Sequence, residues 1–281
     1  MIEEAPAPIG FAERSSVKTV KISVRLLLEL SEPTDTMLQF EAAAIPEQQI
    51  ISMQTVMGAA RHCTRVAAQD SIGERLMLRI QGRHAIDYDA VVRVDRKLPD
   101  MSSLRAMRPH ELPGEAVQYL LDSRYCLADK FHSFVDSEFE GLQGGAQIAA
   151  MRDWIQDHFI YTPGSSNGDT TALDTFIERR GVCRDYAHVM VMLARAAGIP
   201  ARYCSVYAPG VEPPDFHAVA EVFLADPDGP GGAWQLVDAT GMADAAETVK
   251  IGVGRDAADV SFMTTFGMAD LTYKDVQVST I

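Results

Sequence analysis

The sequence predicts an α+β protein, and three features of its patterning predict it. From Val17 to Val94, apolar and polar residues alternate in short runs broken by Pro46, Gly58, Gly73 and Gly82, the rhythm of an all-β, sandwich-like antiparallel region. Beyond Pro113 the apolar spacing changes to three and four residues as far as Ala197, which is the rhythm of helices. From Asp215 onward, apolar runs return between turn-forming clusters, so a second antiparallel sheet follows the helices. The chain therefore divides into a tail at 1–16, an all-β domain at 17–98, and a domain at 99–281 that joins a helical half to an antiparallel sheet.

Taken in order, the first strand is the clearest. Ile22, Val24, Leu26, Leu28 and Leu30 alternate with Lys21, Ser23, Arg25 and Glu29, giving one dry and one wet face. Runs at 37–45, 49–57, 62–68, 76–81 and 85–94 read the same way. His62 and His84 lie in these runs as surface or satisfied core residues, and the region carries no chemistry. Prolines and mixed charge between Lys97 and Pro113 mark the boundary. Helices are predicted at 115–121, 129–138, 146–159 and 171–179, the third through Ile148, Met151, Ile155 and Phe159. The next helix opens at Cys183, carries Ala187, Met190, Val191 and Ala194 on one stripe, and stops at Gly198 and Pro200. Strands follow at 215–224 and 234–238, joined by the hairpin turn 226–232, and then at 249–253, 260–266 and 271–281 in the same sheet.

Composition narrows the function classes. With 39 acidic against 25 basic residues, the net charge of -14 repels phosphate backbones and anionic lipid, which argues against nucleic-acid and membrane partners. No apolar run is long enough to span a bilayer. The opening residues, with Glu3 and Glu4, lack the basic start and apolar core of a signal peptide, so a cytoplasmic location is expected. Cys63, Cys126, Cys183 and Cys204 contain no Cys-x-x-Cys pair, which points to reduced thiols rather than a disulfide framework or structural zinc. Cys63 and Cys204 sit in strand-like runs and read as small core residues.

Three residues combine into a candidate site. At the first turn of its helix, Cys183 meets free amide groups and the positive end of the helix dipole, which favour a thiolate. His217 opens one arm of the predicted hairpin and Asp238 closes the other, so the pairing can set imidazole beside carboxylate. That arrangement fits an imidazole that accepts the sulfur proton and later protonates a leaving amine. His188 competes as base, but five residues along the same helix it points around the axis and is expected to pack or cap. A metal reading from Cys183, His188, Cys204 and His217 matches no compact ligand spacing.

The order Cys, His, Asp on helix, strand and strand resembles the transglutaminase-like superfamily of papain-like cysteine enzymes. Gly181-Val182-Cys183-Arg184-Asp185, Asp215-Phe216-His217-Ala218 and Val237-Asp238-Ala239-Thr240 are similar to the motifs of its bacterial cysteine-protease-like members. So are Leu112-Pro113-Gly114, the run from Tyr161 to Asn167 and that from Gly254 to Val260. The resemblance implies a papain-like core behind an amino-terminal β domain, with Cys183 as nucleophile, His217 as base and Asp238 as orienting acid. It departs from the animal enzymes in two places: Arg184 stands where they have tryptophan, and no carboxy-terminal barrels fit after Asp238.

These readings predict hydrolysis of amides in a peptide or protein substrate, through a thioester and without metal or other cofactor. No Asp-x-Asp-x-Asp-Gly run is present to bind calcium. Acyl transfer to an amine and a groove that binds peptide without turnover are the alternatives. Arg255 and Asp256 either line the groove or form a solvated pair in a turn.

Overall fold

The computed structural model describes residues 17–281; the expected tail at 1–16 lies outside the described residues. The chain begins with β1 (Lys18–Leu38), β2 (Gln48–Met57), β3 (His62–Ala67) and β4 (Glu74–Val94). β1 and β4 pair antiparallel from Lys18↔Val94 to Leu38↔Leu76, with β2 and β3 in tandem along the far side of β4. The runs at 76–81 and 85–94 are one strand. Gly82, at φ +72, bends it without a turn, while the register steps from Leu30↔Gly82 to Thr34↔Ile80 and leaves Ser31–Pro33 as a bulge. The alternation buries what it should: Val20, Ile22, Val24, Leu26, Leu28 and Leu30 are all within the core. β3 differs, since all its residues are exposed. Cys63 is therefore a surface thiol rather than a core residue, because this edge strand has neither face covered. His84 is buried with Nε2 unpartnered.

The middle of the chain carries α1 (Gly114–Val117), α2 (His132–Glu138), α3 (Gly144–His158), β5 (Ile160–Tyr161), α4 (Ala172–Glu178), β6 (Arg180–Gly181) and α5 (Cys183–Ala196). The helix expected at 115–121 is one α turn continued as 3-10 through Gln118–Leu120. α5 is buried from Asp185 to Ala196, and Gly198 follows it at φ +74 as the stop signal requires.

The second sheet comprises β7 (Ala201–Tyr207), β8 (His217–Ala225), β9 (Gly232–Val237) and β10 (Val249–Gly254), ordered β10-β7-β8-β9 and antiparallel throughout. One face meets α5 through Ala220, Val222 and Leu224. The other meets the first sheet, where Tyr207, Val249 and Ile251 join the core of β1 and β4. Covered on both sides, β7, β8 and β10 are buried along their whole length. Between the sheets Glu221 is fully buried, 2.8 Å from Arg202 and 2.5 Å from Lys250. Asp70 and Glu47 from the first region complete the cluster, at 2.9 Å from Arg202 and 2.7 Å from Lys250. Burial opposes the Glu221 charge, but the two cations outweigh it and lower the carboxyl to about 2.

The last strands change partner. Sequence patterning puts 260–281 with the second sheet, whereas β11 (Met263–Thr265) and β12 (Asp270–Thr280) both pair with β1. A two-residue period identifies a strand without naming its neighbour. Here the open edge of β1 takes Val276 opposite Val24 and Val278 opposite Ile22. No helix among the described residues is long and apolar enough to cross a membrane.

Candidate active site

Cys183 is set in place by its neighbours. Tyr161 of β5 pairs with Gly181 of β6, and the Asp185 carboxylate accepts the Val182 N–H at 2.9 Å, capping the first turn of α5. Gly181 has to lack a side chain, because a Cβ there would lie 2.7 Å from that of Asp185. The result is a half-buried sulfur at a helix start, facing a cleft of about 530 Å³.

His217 opens β8 and lines the same cleft. Asp238 directly follows β9, one step past the Ala220↔Val237 pair, which sets it diagonally from His217 on one face. Their Nε2 and Oδ2 atoms are 3.0 Å apart. Asp238 also accepts the Thr240 N–H and hydroxyl at 2.8 and 2.7 Å and the Ala243 N–H at 2.7 Å. These donors and His217 hold its carboxyl below the usual range despite burial, which acts the other way. The other imidazole nitrogen, Nδ1, is buried without a hydrogen-bond partner. Burial disfavours the charged ring, but the Asp238 bond and the adjacent Cys183 sulfur prevail and push His217 up to about 9. The structure thus brings the three predicted residues together, with the imidazole oriented by carboxylate on one side and facing the Cys183 sulfur on the other.

His188 is the packing residue its position suggests. Fully buried, it accepts the Ala257 N–H at 3.1 Å on Nε2 and stacks on Tyr125 at 5.0 Å. Burial, with Arg184 and Arg195 nearby, lowers it well below the ordinary histidine value and keeps it neutral. Arg255 and Asp256 do not line the cleft. Arg255 pairs with Asp259 at the surface, and buried Asp256 accepts the Tyr125 and Ala258 N–H groups at 3.0 and 2.9 Å. Cys126 is buried and pushed up to about 12, and burial likewise raises Cys204. Among the described residues no group of three His, Cys, Asp or Glu side chains is gathered to hold a metal ion.

Several lining residues carry no sequence signal of their own. Arg124 and Tyr125 come from the loop before α2, while Phe262, Thr264 and Lys274 come from the carboxy-terminal segment. Tyr161 lies in a motif that sequence reading singles out without giving it a role. Its hydroxyl sits against Cys183, and burial and the sulfur's charge push it up to about 12. Arg184 donates to the carbonyls of Asn167 and Thr170 at 2.6 and 3.0 Å, pinning the loop that forms one rim.

Comparison with known proteins gives the family and the fold. Residues 135–239 match the family model of the transglutaminase-like superfamily. A Cytophaga hutchinsonii protein, known from its crystal structure as a "putative cysteine protease", is 31% identical, with a TM-score of 0.88 over 95% of this chain and 92% of its own. An uncharacterized Mycobacterium leprae protein is 34% identical over 121 residues, 41% of this chain and 42% of that protein. One from Mycobacterium tuberculosis strain H37Rv is 31% identical over 179 residues, 58% of this chain and 55% of its own. The chain therefore spans about half the length of the curated relatives it matches.

Proposed function

Because this chain belongs to the transglutaminase-like superfamily, we propose that it is a cysteine-dependent amide hydrolase acting on peptides, with Cys183, His217 and Asp238 as its catalytic residues. The observation that carries the reading is the His217 ring, tied to Asp238 at 3.0 Å through Nε2 and raised by the adjacent Cys183 sulfur with which it shares the cleft. Cys183 Sγ attacks the amide carbonyl carbon, its proton having passed to His217 Nδ1. The Tyr161 hydroxyl, which sits against Cys183, is the donor for the developing oxyanion. His217 then protonates the leaving nitrogen as the C–N bond breaks, leaving a thioester on Cys183. Water, deprotonated by His217, attacks that thioester and releases the acid and the thiol. Asp238 holds the ring and stabilises the imidazolium without exchanging a proton.

The reading favours water over a lysine amine as acceptor. Crosslinking needs a dry apolar channel, and here Arg184 occupies the place beside the nucleophile. The test incubates the protein with glutamine- and lysine-bearing peptides under reducing conditions, with chelator and in parallel with calcium, following cleavage, ammonia and isopeptide by mass spectrometry. Cleavage with an acyl adduct on Cys183 is expected; calcium-dependent isopeptide without cleavage would overturn the assignment. Peptide binding with neither adduct nor product would indicate a non-catalytic groove.

A further inference from the structure

The charge lining the cleft differs from that of the chain. A molecule with a net charge of -14 presents three cations, Arg124, Arg184 and Lys274, and one carboxylate, Asp215, around its nucleophile. Lys274 and Asp215 neutralise each other at 2.5 Å. The two arginines have no such partner: among the described residues neither forms an ion pair. Arg184 bonds only to neutral carbonyl oxygens, and Arg124 is exposed over the ring of Tyr125. The guanidinium carbons sit 4.7 Å (Arg184) and 5.1 Å (Arg124) from that one ring centre. They are thus closer together than the Debye length of about 10 Å at 0.1 M salt, and they repel.

Nothing nearby relieves this. Asp256, under Tyr125, is committed to two backbone N–H groups, and His188 behind the ring is neutral, partly through the field of Arg184. Elsewhere the lining is of another kind, with Phe216 and Phe262 stacked at 4.8 Å. The cleft therefore has a cationic end on the helical side and an aromatic end on the strand side, and the cationic end adjoins the nucleophile, since Arg184 is its next residue.

From this we infer that the cleft selects carboxylate-bearing peptides, the carboxylate lying close to the scissile amide and bridging Arg124 and Arg184. Planar guanidinium groups match carboxylate oxygens in charge and shape, and charge-assisted bonds of this kind are about twice as strong as neutral ones. A glutamate or aspartate side chain and a free peptide carboxy terminus offer the same chemistry. The inference rests on the hydrolase reading for the reaction, while the binding preference can be read without turnover.

The experiment uses matched peptide libraries: capped octapeptides containing glutamate, the same set with glutamine, and the glutamine set with a free carboxy terminus. Cleavage is followed by mass spectrometry on the wild-type chain, and binding by calorimetry on Cys183→Ala. A preference of roughly tenfold or more for carboxylate over amide is expected in both. The favoured set identifies side chain or terminus as the source. Arg124→Gln should bring the ratio towards one, and Arg124→Glu, which sets a carboxylate beside Arg184, should abolish the preference for acid over amide. Equal binding of acid and amide by Cys183→Ala, or a ratio unchanged in Arg124→Gln, would overturn the inference. A clear binding preference with no cleavage by the wild type would instead remove the hydrolase reading and leave the carboxylate site standing.

Discussion

At the scale of single residues, the His217–Asp238 contact has a pH signature. The folded-state value of His217, about 9, lies above its ordinary 6.5, so its contribution to stability is complete below pH 6.5 and is lost as pH rises through about 9. Asp238→Asn removes the hydrogen bond that raises it. Because the Cys183 sulfur contributes to the same shift, that variant should lose on the order of 1–2 kcal/mol near pH 6 and much less at pH 10. Urea melts at the two pH values would reveal it, and equal losses would count against the pairing. Turnover of the same variant should fall by roughly two to four orders of magnitude with the fold retained. Tyr161→Phe should lower kcat by about 10²-fold with little change in KM if its hydroxyl meets the oxyanion; a change confined to KM would contradict that role. Thiol labelling gives a further check. Iodoacetamide should modify Cys183 and the exposed Cys63 at neutral pH and spare buried Cys126 and Cys204, and substrate should protect Cys183 alone.

At the scale of elements, the start of α5 depends on the gap at Gly181. Gly181→Ala places a methyl 2.7 Å from the Asp185 Cβ, so the cap must shift, at a cost of roughly 1–2 kcal/mol. Turnover should fall as well, because the cap fixes the turn that carries Cys183. A variant with native melting temperature and activity would show that the close approach is dispensable. The same element shows what a sequence makes legible. The stripe from Ala187 to Ala194, the Gly198 stop and the hairpin around 226–232 are local signals, and all appear at those places in the structure. Two kinds of information were not local. Gly82 reads as a break, because only the partner strand, with its bulge at 31–33, shows that the ladder continues. Cys63 reads as core because alternation cannot tell an edge strand from a covered one.

At the scale of the whole molecule, the cluster around Glu221 ties the two sheets together. Glu221→Ala leaves Arg202 and Lys250 buried with reduced compensation, and a loss of about 3–5 kcal/mol is expected. The wild-type contribution is present above the ordinary carboxyl value and disappears as pH falls towards about 2. Acid should therefore destabilise the native chain far more than Glu221→Gln, as calorimetric scans between pH 3 and 7 would register. The cleft is a whole-molecule feature too. Cys183, His217 and Asp238 were legible because each closes or opens an element, whereas Phe262, Thr264 and Lys274 reach the site only through the return of β11 and β12 to β1.

That return also sets a clock on synthesis. Val20 pairs with Thr280, so a strand made early waits for one made long after it, and the cleft lacks a wall until β12 has left the ribosome. Cys183, His217 and Asp238 all emerge earlier. A nascent chain halted near residue 260 would thus hold the reactive groups without the enclosure that aims them, and acyl-probe labelling of stalled chains should appear only once β12 is free to dock.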